Sequence, residues 1–314
     1  KSLIYLLARE YRLNIGAGFA RTGQKFVPDL LARNYKLGNI PLKNFPKLNS
    51  IPFRKANDTV ILPYKKQIGT VLYFTGCATN HLYEDTGFAF IEILKHLGYK
   101  IIIPGDQTCC SIPLLFHGAS DKAFKNIRTN INALKSHEAE TILVDCSTCG
   151  EALKNEYPRM IEKQGRDPFE ADKIASKVMD SLSFIHQNFD RLEFDTNVKD
   201  KVCVTYHAPC HTKNSFGSHH IAEKLLSKLP FVNYERVSDF DECCGGGGTF
   251  FYEYPGVSKK MIGKKIKTAK SVKASLWITD CPVCRMNLSG NLDINDRLKV
   301  LHPLTLIHSA LKKV

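Results

Sequence analysis

No run of apolar residues approaches the ~18 needed to cross a bilayer, so a spanning helix is excluded. No long low-complexity tract occurs either, and with 43% hydrophobic and 24% charged residues the chain is not disordered as a whole. The start, KSLIYLLAREYRLNIGAGFARTG, has only the outline of a secretion signal: Arg9, Glu10 and Arg12 interrupt it, and no small-residue cleavage site follows. A cytoplasmic protein is expected. Acidic residues are scarce in residues 1–66, where Glu10, Asp29 and Asp58 face thirteen Lys and Arg, so +10 of the net +13 charge sits there. That segment has no recognisable RNA- or DNA-binding motif, and nucleic acid is not expected as a partner. Such a segment suits an acidic partner or an anionic surface, so docking or peripheral contact with the cytoplasmic membrane face is expected.

What is present is a length sufficient for one large or two moderate domains, and eleven cysteines. An odd number cannot all pair in internal disulfides. In a large chain without a secretion signal, cysteine clusters point to metal or redox chemistry. Residues 1–68 predict one or two helices, with Leu3, Ile4, Leu6, Leu7 and Leu13 on one face, followed by an extended stretch punctuated by Pro41, Pro46, Pro52 and Pro63. With no core pattern of its own, this reads as a basic linker or docking segment that wraps over the main body or over a partner.

From Gly69 the texture changes. Thr70–Thr75, Lys100–Ile103 and Thr141–Val144 predict strands, with helices over Glu84–Leu97, stopped by Gly98, and Asp121–His137. Cys146 and Cys149 open another helix. The same order then repeats: strands at Val202–Tyr206, Asn233–Val237 and Leu276–Thr279, helices at Ile221–Leu229 and Lys259–Val272, and a last helix opened by Cys281 and Cys284. Cys77 to Cys210 is 133 residues, Cys109 to Cys243 is 134, and Cys146 to Cys281 is 135. A nearly constant offset at three landmarks marks an internal duplication. The expected fold class is α/β: two duplicated βαβαβα units, residues 69–201 and 202–314, each with a parallel sheet, joined through Leu153–Lys201.

Each half sets five thiols just beyond the C-terminal ends of three strands: Cys77, Cys109, Cys110, Cys146 and Cys149, then Cys210, Cys243, Cys244, Cys281 and Cys284. Ligands bind at that edge of open parallel sheets. Convergent thiolates select zinc, copper(I) or iron–sulfur clusters. Zinc needs four ligands, so a fifth thiol and an adjacent Cys-Cys pair exceed its requirement, whereas a multi-iron cluster can use them. Cubane clusters often take closely spaced cysteines, and the long gaps here suggest a cluster of unusual shape.

The doubled pattern resembles the cysteine-rich CCG domain of heterodisulfide reductases. Its relatives include the iron–sulfur subunits of anaerobic glycerol-3-phosphate dehydrogenase, glycolate oxidase and other FAD-linked dehydrogenases. FTGC at 74–77, PGDQTCC at 104–110, CCGGGGTF at 243–250 and TDCPVC at 279–284 carry the resemblance. PLLFHG at 113–118 and NEYP at 155–158 look most like the iron–sulfur subunit of glycerol-3-phosphate dehydrogenase. The resemblance implies two noncubane [4Fe-4S] clusters, one on each set of five cysteines. Ser111 departs from the pattern, standing where a glycine follows the Cys pair, and zinc in place of the first cluster is the alternative. Relatives often carry a ferredoxin-like module ahead of this region. With no cysteine before Cys77, the chain is either a piece of a longer one or draws electrons from a separate ferredoxin-like protein.

The resemblance implies an oxidoreductase subunit that relays electrons between a flavoprotein dehydrogenase and a quinone or other acceptor. A heterodisulfide reductase subunit that cleaves a disulfide is the second reading. Cys203, inside a strand, is expected in the core. His207 and His211 flank Cys210 and could hydrogen-bond cluster sulfur or simply cap a loop. No P-loop lysine follows Gly245–Gly248, so that run is expected to wrap the cluster rather than a phosphate. The Lys259–Lys273 run predicts a solvated helix face.

Overall fold

Val71, Leu72, Tyr73 and Phe74 are each at most 1% exposed. Such a run belongs to a strand covered by helices on both faces, since a half-buried strand would alternate. The computed structural model describes residues 2–26, 35–195, 201–293 and 295–312. It forms two compact units, Lys1–Gly23 with Leu48–Arg191, and Gln24–Lys47 with Leu192–Val314.

The first unit holds β1 (Val60–Ile61), β2 (Gly69–Phe74), β3 (Tyr99–Ile102), β4 (Thr141–Val144) and β5 (Val178–Asp180), in the sheet order β1-β3-β2-β4-β5. Only β1 runs antiparallel, pairing Val60 with Ile102. The second unit holds β6 (Val202–Tyr206), β7 (Val232–Tyr234), β8 (Leu276–Ile278) and β9 (Lys299–Leu301), all parallel, in the order β9-β8-β6-β7. β1 aside, both sheets place their strands second-first-third-fourth. The duplication read from cysteine spacing thus extends to topology.

Local signals set the helix ends. Helix Glu84–Leu97 begins with Glu84 and Asp85 and stops at Gly98, whose φ of +89° closes the last turn onto the Leu94 and Lys95 carbonyls. Cys146 and Cys281 each stand in extended backbone immediately before helices Ser147–Glu151 and Pro282–Gly290, as their spacing predicts.

One expectation changes. Each unit contains four strand–helix segments, not three. Leu153–Lys201, read as a connector, contributes helices Tyr157–Lys163 and Phe169–Lys177, strand β5 and helix Ser181–Gln187; residues 196–200 lie outside the described ones. In the second unit β9 and helix Pro303–Ser309 take the same place. Residues 1–68 are divided between the units. Phe53 is fully buried in the first, Arg54 pairs with Glu10 at 2.5 Å, and β1 lines the edge of β3. Lys1, Asp29 and Arg33, counted in the basic segment, lie outside the described residues. Among the described residues, no helix is long and apolar enough to cross a membrane.

Candidate metal centres

In the first unit Cys77 opens helix Cys77–His81 directly after β2, Cys109 and Cys110 follow β3, and Cys146 and Cys149 follow β4. Three adjacent strand ends therefore deliver five thiols to one place. Cys77 lies in thiol hydrogen-bonding contact with Cys109, Cys109 with Cys110, Cys110 with Cys149, and Cys149 with Cys146. Four of the five are buried and Cys77 is half-buried. The second unit repeats the placement after β6, β7 and β8. Cys284 lies against both Cys244 and Cys281, while Cys210 and Cys243 interact with the set but are exposed. All eleven cysteines are free thiols.

Crowding divides the thiols electrostatically. Thiol hydrogen bonds from Cys109 and Cys149 bring Cys110 down to about 6, while donation to Cys110 holds Cys109 and Cys149 well above the usual thiol value. Cys244 is likewise held low by Cys284, which is itself pushed up. Burial raises Cys210 and Cys243. Several thiolates cannot ionise together in so small a space without a cation among them. Such a donor set, soft and deprotonatable only with positive charge at its centre, fits a thiolate-bound metal group.

Around each set the same polar frame appears, and single-residue motif reading missed it. Tyr73 donates to Asp145 at 2.6 Å and Thr79 to the same carboxylate at 2.5 Å. In the second unit Tyr206 donates to Asp280 at 2.7 Å, and Thr212 donates to Asp280 as well. Each aspartate immediately precedes the first cysteine of a C-x2-C pair, so a buried carboxylate pins that junction to the first strand of its unit and the helical segment beyond it. Asn130 donates to the Cys109 carbonyl at 3.1 Å and Asn287 to the Cys244 carbonyl at 2.8 Å, bracing the two Cys pairs. The detectable signal was the shared offset of 133–135 residues, which the Tyr, Thr and Asp of each frame keep as the cysteines do.

The residue after each pair decides how it turns. Gly245 has φ +74°, its amide donates to Cys243 Sγ at 3.3 Å, and a side chain there would press on Ser258. Ser111 adopts the same left-handed backbone, φ +79°, and its hydroxyl bonds the Ala123 carbonyl at 3.2 Å. Serine thus keeps the glycine's turn at some conformational cost. Gly76 also serves the first site, since a Cβ would sit 3.0 Å from Cys149 Sγ.

Other candidates separate cleanly. Cys203 is half-buried on β6, bonds the Val272 carbonyl at 3.5 Å and packs with the apolar cluster around Ile262 and Trp277. His207 is 1% exposed, and its ring lies within 4.8 Å of the sulfurs of both Cys244 and Cys284. His211 contributes a backbone bond to Cys210. The Lys-rich helix is solvated as expected, with one exception. Lys265 is 1% exposed, bonds the Asp239 carbonyl, and interacts with Cys244 and Cys284.

These two thiol-lined α/β units define a doubled cysteine-rich scaffold. The chain belongs to the CCG cysteine-rich domain family, whose domain matches residues 71–154 and again 204–289, together more than half of its length. Among curated proteins it is 27% identical to a fumarate reductase (CoM/CoB) subunit of Methanothermobacter marburgensis, over 76% of this chain and 46% of that one. It is 31% identical to a dihydromethanophenazine:CoB–CoM heterodisulfide reductase subunit of Methanosarcina mazei, over 73% of this chain and 55% of that one. It is also 29% identical to lactate utilization protein A of an Exiguobacterium species, over 76% of this chain and 95% of that one. The chain thus spans about half the length of the first two relatives and nearly all of the third.

Proposed function

We propose that the chain is an iron–sulfur oxidoreductase subunit relaying electrons between a flavoprotein dehydrogenase, or a ferredoxin-like module, and a quinone or other acceptor. The observation that carries this reading is the delivery of five thiols to one place in each unit by three strand ends. Cys77, Cys109, Cys110, Cys146 and Cys149 would hold one [4Fe-4S] cluster, and Cys210, Cys243, Cys244, Cys281 and Cys284 the other. Bound there, such clusters supply one-electron transfer, which suits the step between a two-electron flavin and a separate acceptor. The protein's part is to fix the thiolates on strand ends, aim the Gly245 amide at sulfur and exclude water from the first site. Exposed Cys210 and Cys243 leave the second site open to a partner or substrate.

Anaerobic preparation with iron, sulfide and zinc counts and EPR tests this. About eight irons per chain are expected for two four-iron clusters. About four irons with one zinc would assign zinc to the first site, and zinc without iron would overturn the reading.

The open second site and the similarity to a heterodisulfide reductase subunit favour one further reading, reductive cleavage of a disulfide at that site. Two electrons and two protons would then convert the disulfide to two thiols. Turnover of CoM-S-S-CoB by the protein alone with a reduced dye would support it, and absence of turnover in a fully iron-loaded preparation would leave the relay. The basic N-terminal segment is proposed as the docking surface, for a redox partner or the cytoplasmic membrane face. Reversing the charge of exposed Lys43, Lys47, Lys55 and Lys66 should weaken partner co-purification or binding to anionic vesicles, and no change in either would overturn the docking role.

A further inference from the structure

The duplication supplies an internal control, because most positions around one set of thiols have a counterpart around the other. Two counterparts differ in kind. Counting back 133 residues from His207, as from Cys210 to Cys77, reaches Phe74. Both side chains are buried directly after or at the end of the first strand of their unit. Between helices Ser120–Lys135 and Pro255–Ser271, fully buried Ile127 corresponds to Ile262 and Leu134 to Ala269. This register sets Asn130 opposite Lys265.

His207 is held by its backbone, whose amide donates to the Ile278 carbonyl at 2.8 Å. No oxygen or nitrogen among the described residues pairs with either ring nitrogen, although the side chain is buried. A buried imidazole carries at least one N–H, and leaving that donor unsatisfied is costly. The sulfurs of Cys244 and Cys284 lie within 4.8 Å of the ring, and Cys244 is placed to accept from it. Phe74 offers the first site no donor at all.

We propose that His207 is a positioning residue of the second centre: its ring N–H donates to ligand sulfur there and sets that centre at a higher reduction potential than the first. The inference rests on the cluster reading above. A hydrogen bond to sulfur stabilises the more negative, reduced state, and this is one of the levers by which a protein tunes such potentials. Lys265 adds a second donor-bearing side chain near the same sulfurs, partly offset by buried Asp239. Of the two centres the second would then be the more easily reduced, and its Cys210 and Cys243 are exposed.

The test is an EPR-monitored redox titration of the whole chain, prepared anaerobically, as wild type, His207→Phe and His207→Gln, with iron counted in each. In His207→Phe, full iron content and a downward shift of one midpoint potential, the other unchanged, are expected. His207→Gln keeps an N–H donor and should fall between. Two unshifted midpoints at full iron in His207→Phe would overturn the proposal. Should His207→Phe lose the second cluster, His207→Gln must retain it, and loss in both would overturn the donor role. Absence of cluster iron from the wild type would instead refute the cluster reading itself.

Discussion

Adjacent cysteines make the strictest demand of any residues in the chain, because one short turn must aim both thiolates at one centre. In the second unit Gly245 provides that turn and Asn287 braces it. On the proposed cluster assignment, changing Cys244 to Ser removes a buried soft ligand and is expected to strip or convert the second cluster. Cys203→Ser touches only the packing near Val272 and should keep both, at a cost of about 1 kcal/mol. Iron content and EPR separate the two, and a fully loaded Cys244→Ser protein would break the ligand assignment. His81 reports on burial in the first unit. It is 4% exposed, and desolvation, with Arg54 and Arg21 adding to it, lowers its pKa to about 4. The unfolded chain therefore binds the extra proton first as pH falls below about 6.5. His81 thus favours folding fully above that pH and loses its contribution as pH drops toward 4. NMR of the His81 ring should give a midpoint near 4, and His81→Gln should flatten the dependence of urea unfolding on pH between those limits. A midpoint near 6.5 would mean the ring is not desolvated.

Strand ends are where this sequence is most legible. The alternation of strand and helix signals pointed to the parallel sheets, and cysteine landmarks at three strand ends to the duplication and both thiol sets, because a thiol in that position stands out against ordinary core composition. The fourth strands did not stand out. Val178–Asp180 and Lys299–Leu301 are three residues each, too short to show a period, and Leu153–Lys201 looked like a connector in consequence. The Tyr–Asp–Thr frames escaped for another reason: Tyr73 and Tyr206 sit in strands rich in apolar residues, and only the fold brings Asp145 and Asp280 to them. Asp280→Ala should leave two buried hydroxyls without their acceptor and cost about 1–3 kcal/mol, with the second cluster lost preferentially. Asp145→Ala should do the same at the first. Urea unfolding with iron counts checks both, and loss at the wrong centre would show that each frame does not serve its own thiols.

At the scale of the whole molecule, duplication has been followed by unequal finishing. One centre is mostly enclosed and the other opens two thiols to solvent. The N-terminal stretch, whose sequence advertises charge, is also woven into both units. Its strand β1 occupies the outer edge of β3, where Ile103 donates to the Thr59 carbonyl at 2.8 Å, and Phe53 fills space against helix residue Gly87. The place where sequence texture invites a cut is therefore a poor place to cut. A chain trimmed to begin at Gly69 would bare a row of unpaired strand amides and carbonyls beside an emptied aromatic socket, the template on which sheets of separate molecules join. Such a chain should self-associate, seen as a rising mass in light scattering with concentration. The untrimmed chain should hold a constant mass under the same conditions.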